Sequence, residues 1–317
     1  MTTQPPAPGA ESRIPTIDLS AWLSGDRAAR AAIAQTVDRA LRSAGFLLVR
    51  GHGVDPELRA RIRDVARGFF HLPAPAKDAY AVKVGGRGWL GPGAEANGYA
   101  EGTETPPDLK ESLSFAADEP TGNPAVDAEW FLPNAWPGEA PELKDLVETY
   151  LTQMRSLSDR LLELLGVALG EDEDFFTRHT GHPTWGFNIN WYPGTERVGP
   201  PLAGQFRIGP HTDFGTVTVL DRQRGKGGLQ VFTDDGGWED APFDPDAFTV
   251  NIGDLMARWS GERWSSGRHR VLPPPSDAPA EELMSLVYFY ECDPGTSVRG
   301  LDSHTYLRGQ LDAITSS

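Results

Sequence analysis

Pro210-His211-Thr212-Asp213-Phe214-Gly215 is the stretch on which the reading of this chain turns. Taken as the opening of a strand, it points His211 and Asp213 the same way, because side chains alternate between faces along extended backbone. An imidazole and a carboxylate so spaced can take adjacent positions on one metal ion. A third ligand must come from elsewhere, and His269 lies in a later β-type run, residues 268–272. Two histidines and one carboxylate leave three positions of an octahedron open, the arrangement of non-haem Fe(II) oxygenases. Those positions let dioxygen and an organic ligand meet on the metal. His-x-Asp alone is a common pattern, and its surroundings give it weight.

Further β-type runs flank the stretch at residues 184–192, 216–220, 228–232, 248–252 and 285–290. Short strands separated by Gly/Pro/Asp turns indicate a sandwich or barrel. Upstream the texture is helical. Residues 14–19 read as a first strand, and a helix over 27–43 follows, with Ile33, Val37, Ala40 and Leu41 at helical spacing and Gly45 as its stop. Residues 46–49 read as a buried strand. Asp55-Pro56 starts a helix that runs to about Phe70, and residues 141–169 form the longest helical pattern. Residues 84–110 read as a long loop, a candidate lid. The expected fold class is therefore α+β with a mainly β core. Residues 1–13 form a disordered tail, 14–180 a helical and strand region, and 181–317 the β core with a C-terminal extension.

The 317 residues can bury a large core, and 39% hydrophobic with 23% charged residues is ordinary globular composition. A net charge of −16 argues against nucleic acid or an anionic membrane as partner. The sequence contains neither a membrane-spanning apolar run nor a signal-peptide pattern. The single cysteine, Cys292, excludes an internal disulfide and a cysteine zinc cluster. It reads as a core residue in a reducing cytoplasm. Gly85-Gly86-Arg87-Gly88 and Gly227-Gly228 lack the strand–helix context of a phosphate loop.

Other pieces stand in order along the chain. They are Ile14-Pro15-Thr16-Ile17-Asp18-Leu19, Gly51-His52-Gly53-Val54, Asp108-Leu109-Lys110-Glu111-Ser112, Asn190-Trp191-Tyr192-Pro193, Gly227-Gly228-Leu229-Gln230-Val231, Val250-Asn251-Ile252-Gly253-Asp254 and His269-Arg270-Val271. With these the chain resembles the isopenicillin N synthase-like branch of the Fe(II)/2-oxoglutarate-dependent dioxygenases, over residues 14–312. The resemblance implies a double-stranded β-helix (jelly roll) with a helical N-terminal portion packed on it. It implies Fe(II) on His211, Asp213 and His269, with 2-oxoglutarate and O2 as co-substrates. The implied chemistry is hydroxylation, desaturation or ring closure of a small molecule, a secondary metabolite. Asn190 and Tyr192 share a face that in the family contacts the iron-bound co-substrate or substrate. His52 lies outside the family's iron site and reads as structural, and His71, His179, His182 and His304 as surface or packing residues.

One departure matters. Members that use 2-oxoglutarate carry Arg-x-Ser on the strand after the distal histidine, and the arginine pairs with the far carboxylate. Here that strand begins Leu283-Met284-Ser285. Ser285 is kept as a co-substrate contact, but the arginine is Leu283. Losing one partner of such a pair costs about 2–5 kcal/mol. Arg268 and Arg270 flank the distal histidine, but alternation turns both away from it. The expectation is thus a 2-oxoglutarate-dependent oxygenase. The alternative is an oxidase whose substrate ligates iron and supplies all four electrons. A metal-free binding protein is a remoter reading, against which the intact triad argues. Phe289 shares a face with Ser285, and with Leu283 it is a candidate wall of the substrate pocket.

Overall fold

Runs rich in β-branched and aromatic residues pair into two main sheets. The computed structural model describes residues 13–98, 105–233 and 237–313. Its strands are β1 (Thr16–Asp18), β2 (Phe46–Arg50), β3 (Gly88–Leu90), β4 (Glu111–Ala116), β5 (Trp185–Tyr192), β6 (Ile208–His211), β7 (Val217–Arg222), β8 (Leu229–Phe232), β9 (Trp238–Asp240), β10 (Phe248–Ile252), β11 (His269–Val271), β12 (Leu283–Tyr290), β13 (Ser297–Val298) and β14 (Leu301–Asp302). The larger sheet runs β1-β2-β10-β7-β12-β5-β4-β3, a smaller one runs β6-β11-β8-β9, and β13 pairs with β14 in a separate two-stranded one. Together β5 to β12 form the double-stranded β-helix, and β1 to β4 extend its larger sheet.

The helices are α1 (Leu19–Ser24), α2 (Arg27–Ser43), α3 (Pro56–Phe70), α4 (Ala74–Lys77), α5 (Pro124–Trp130), α6 (Leu143–Leu169), α7 (Thr195–Val198), α8 (Asp254–Trp259) and α9 (Ser303–Ala313). Their ends follow from local chemistry. Asp26 caps α2 by accepting from Ala29 N at 2.9 Å, and Asp55 caps α3 by accepting from Glu57 N at 2.8 Å. Gly45, at φ +70°, closes α2 with its N–H on Ala40 O. α2 and α3 pack on α6. Fully buried Phe70 stacks on Trp191 of β5 at 5.5 Å, which joins helix layer to sheet. None of the described helices is long and apolar enough to cross a membrane.

Strand β7 shows what its two faces do. Asp221 points to the helices, where Arg59 and Arg63 of α3 approach it at 3.3 and 2.8 Å. Its neighbours Leu220 and Arg222 line the barrel interior with Thr218.

One expectation changes here. Residues 84–110 are not all loop, because β3 lies among them and pairs with β4, Trp89 opposite Leu113. Apolar Trp89 and Leu90 are buried there, and the short Gly-rich setting hid that strand. Residues 99–104 of this segment lie outside the described residues, as does the expected tail except for Arg13. Cys292 is a core residue as expected, its thiol pushed up to about 11 by burial.

Candidate metal centre

His211 is the last residue of β6, and Asp213 falls in the turn before β7. The two are therefore not carried on one strand, and the turn brings them round. His269 opens β11 directly opposite His211 in the β6–β11 ladder. The imidazole rings lie 4.2 Å apart. Asp213 Oδ1 is 3.7 Å from His211 Nε2 and 4.0 Å from His269 Nε2. The three buried ligand atoms lie within 4.8 Å of one another.

Each ring is held from behind. His211 Nδ1 lies 2.8 Å from Gly209 O, and His269 Nδ1 lies 2.8 Å from Gly267 O. A carbonyl there keeps the proton on Nδ1 and leaves the Nε2 lone pair for a metal. Asp213 Oδ2 accepts from Thr218 Oγ1 and Asn251 Nδ2, each at 2.7 Å, which leaves Oδ1 toward the histidines. Burial pushes Asp213 toward its neutral form. His269 and His211, with those two hydrogen bonds, outweigh it and hold the carboxyl below its ordinary value. The turn is braced by α8: Asp254 N donates to Asp213 O at 2.9 Å. A Cβ on Gly253 would lie 2.7 Å from that same oxygen, so only glycine permits the approach. Two imidazoles with Nε2 turned inward and one oriented carboxylate on one side of a cavity fit Fe(II) with open positions.

Two cavities meet at this centre, and His211, Asp213, Asn190 and Phe289 line both. The first, about 240 Å³, is walled by Phe115, Trp130, Trp185, Asn188 and Glu291, with Val84 to Arg87 at its rim. Glu291 is buried, accepts from Thr216 N at 2.8 Å, and is pushed up to about 8 by burial. The second, about 210 Å³, runs into the barrel past His269, Tyr192 and Ser285 to Leu283 and Arg222. Leu283, a candidate for the substrate wall, thus lies with Tyr192 and Ser285 in the second cavity. Asn190 Oδ1 accepts from Ser112 Oγ at 2.8 Å. The Tyr192 hydroxyl is buried beside Ser285 and Asn190, and burial pushes its pKa up.

Arg268 and Arg270 turn outward as alternation requires, stacking over Phe232 at 5.0 Å and Trp238 at 4.1 Å. His52 packs on Phe248 at 4.0 Å and His304 against Trp130 at 4.5 Å, both structural as expected. Thr218, Asn251 and Arg222 escaped the sequence reading. Counting by twos along β7 from Thr218 would have turned Arg222 inward.

Comparison with known proteins accords with this geometry. Residues 14–139 match the family described as non-haem dioxygenase in morphine synthesis N-terminal, and residues 184–291 match the 2OG-Fe(II) oxygenase superfamily. Validamycin A dioxygenase of Streptomyces hygroscopicus subsp. limoneus is 44% identical, over 89% of this chain and 77% of that protein. A homoarginine-6-hydroxylase of Glycine max is 32% identical, over 92% and 89%. A full-length Neurospora crassa protein, solved in complex with alpha-KG (2-oxoglutarate) and thymine, superposes with a TM-score of 0.80 at 26% identity, covering 95% of this chain and 96% of that one. These likenesses resolve the choice left open by Leu283 in favour of 2-oxoglutarate. The chain belongs to the 2OG-Fe(II) oxygenase superfamily, and is an Fe(II)- and 2-oxoglutarate-dependent oxygenase of small molecules.

Proposed function

We propose that His211, Asp213 and His269 hold one Fe(II), that 2-oxoglutarate enters the second cavity beside Asn190, Tyr192 and Ser285, and that a polar small molecule fills the first. One observation carries this reading: both cavities open on the same two ligand residues, His211 and Asp213. Two organic molecules can therefore reach one ion from different sides. Bound iron would supply the dioxygen chemistry, in which 2-oxoglutarate loses CO2 to become succinate while the substrate is oxidised.

The chain's own residues position and exclude. The Nδ1–carbonyl contacts keep both Nε2 atoms aimed at the ion. Phe289 stands between the cavities and fixes how close the two organic molecules come. Residues 84–97, anchored through β3, close the rim of the first cavity, where Arg87 donates to Ala117 O at 3.0 Å. Residues 14–180 thereby supply the rim and part of the wall of the first cavity, and residues 181–317 the rest of the wall and the metal-bearing core.

The first cavity also suggests a substrate class. The faces of Trp130 and Trp185 suit the C–H surface of a ring or chain, and Glu129, Asn188 and Glu291 offer acceptors for hydroxyl or amine groups. A polar substrate is in keeping with relatives named for validamycin A and homoarginine. A reducing, cytoplasmic setting suits an Fe(II) enzyme whose one thiol is buried.

Oxygen uptake with Fe(II), with and without 2-oxoglutarate, tests the reading while succinate is followed. Succinate formation stimulated by amino- or polyhydroxylated compounds, and not by apolar acids, is expected. Oxygen uptake with substrate alone and no succinate would sink it in favour of a substrate-only oxidase.

A further inference from the structure

We propose that Arg222 on β7 is the cation that receives the far carboxylate of 2-oxoglutarate, in place of the arginine that Leu283 on β12 displaces. The proposal rests on the reading of the second cavity as the co-substrate's site.

Register places Arg222 there. In the β7–β12 ladder Thr218 faces Phe289, Leu220 faces Val287 and Arg222 faces Ser285. Thr218 braces the metal ligand Asp213, so Arg222 lies two pleats deeper on the same inward face. Ser285 brings the Tyr192 hydroxyl to the same end. Two hydroxyls and a guanidinium thus converge away from the iron, which is the donor set a carboxylate needs.

Charge accounting and burial together select Arg222 from the other cations nearby. Arg207 lies fully buried behind Tyr192 and is taken by Glu281 at 2.9 Å. Lys226 faces Asp277 at 2.7 Å and is exposed. Arg224 also lines the cavity, but it is exposed on the turn that follows β7, where solvent screens its charge. Asp221, next to Arg222 in sequence, is taken by Arg59 and Arg63 on the other face. Asp240 lines the cavity but is exposed and held by Gln230 Nε2 at 2.9 Å.

Among the described residues no carboxylate lies within ion-pair distance of Arg222. Its Nε donates to Thr249 Oγ1 at 3.2 Å and its Nη2 to Ala241 O at 3.1 Å and to Pro242 O. Its Nη1 makes no hydrogen bond among the described residues, and Phe243 packs on the guanidinium at 5.2 Å. Neutral carbonyls fix its place without cancelling its charge. A half-buried cation with no counter-ion is costly until an anion arrives. Leu283 meanwhile packs over the β7–β8 turn: a Cβ on Gly225 would lie 2.5 Å from Leu283 Cδ1. The position that ordinarily carries the cation is apolar, and the cation stands one strand away.

The test is calorimetric titration of the anaerobic Fe(II)-loaded full chain with 2-oxoglutarate and, separately, with pyruvate. Pyruvate keeps the 2-oxo acid that chelates iron and lacks the far carboxylate. Wild type is expected to bind 2-oxoglutarate much more tightly than pyruvate. Arg222→Leu should weaken 2-oxoglutarate by about 30-fold or more and leave pyruvate unchanged. Arg224→Leu should change neither, and Arg222→Leu/Leu283→Arg should recover 2-oxoglutarate. Should Arg222→Leu lose both ligands, Arg222→Gln carries the comparison, since a general loss of structure does not alter the ratio of the two affinities. An unchanged ratio in the Arg222 variants, or a collapsed ratio in Arg224→Leu, overturns the assignment. Wild type that binds iron but neither 2-oxo acid overturns the co-substrate reading itself.

Discussion

The metal end and the far end of the barrel treat charge in opposite ways. At the metal end three ionisable groups are crowded together, and every polar atom not aimed at the ion has a fixed partner: Gly209 O and Gly267 O behind the rings, Thr218 and Asn251 behind the carboxylate. At the far end the guanidinium of Arg222 is held, among the described residues, by a hydroxyl, backbone carbonyls and the Phe243 ring, in the cavity that Ser285 and Tyr192 also line. The difference follows from what each end holds. An ion that stays through many turnovers is served by a fully braced, pre-oriented cage. A co-substrate consumed in every turnover must enter and leave, and its counter-charge is best kept unspent.

The comparison breaks first at the ligands. Asp213→Ala should abolish iron binding at stoichiometric concentrations, as read by anaerobic Fe(II) titration, because two neutral imidazoles then face the ion without a charge. Retained stoichiometric iron would place the metal elsewhere. Removing a brace is milder. Asn251→Ala or Thr218→Val leaves Asp213 Oδ2 short of a donor and should weaken iron by about 10–100-fold. The ratio of 2-oxoglutarate to pyruvate affinity should stay as in wild type. A brace variant that shifts that ratio instead would show that the two ends are not independent.

The two ends were also unequally legible. His211, Asp213 and His269 could be read because ligand identity is chemistry, and few residue types bind iron. The strand logic behind them was only half right: Asp213 sits in a turn, yet the turn and the His211–His269 pairing converge on the same cluster. Helix α2 fell at residues 27–43 as read, because helical spacing and a stop glycine are local signals. β3 was missed because its three residues are defined by pairing with β4, which is not local. Arg222 was missed for a related reason. Leu283 showed that a cation had gone, but which arginine replaces it depends on the neighbour of β12 in the sheet. Strand order, unlike strand identity, is not written in any one stretch of sequence.

Phe289 belongs to both cavities and tests whether they communicate. Truncation to alanine should leave iron affinity as in wild type, because the ring supports no ligand atom directly. It should lower kcat/KM for the substrate roughly tenfold by loosening the approach of the two organic molecules. Succinate formed per oxidised product should rise, since 2-oxoglutarate would turn over without a well-placed substrate. Unchanged coupling would remove Phe289 from the boundary between the sites.

The smallest expected effect is the most pointed. Leu283→Arg alone restores the common cation while Arg222 stays in place. If the far end is already served by Arg222, the added guanidinium meets a carboxylate that has its partner, and 2-oxoglutarate affinity should move by no more than about threefold, under roughly 1 kcal/mol. The two guanidiniums would also be diagonal neighbours on adjacent strands, Arg222 lying opposite Ser285, and their like charge opposes any gain. A large tightening, tenfold or more on the same calorimetric scale, would mean that the wild-type carboxylate lacks a counter-charge. In that case the far end would be an impaired site and not a relocated one, and the contrast with the fully braced metal end would lose its functional meaning.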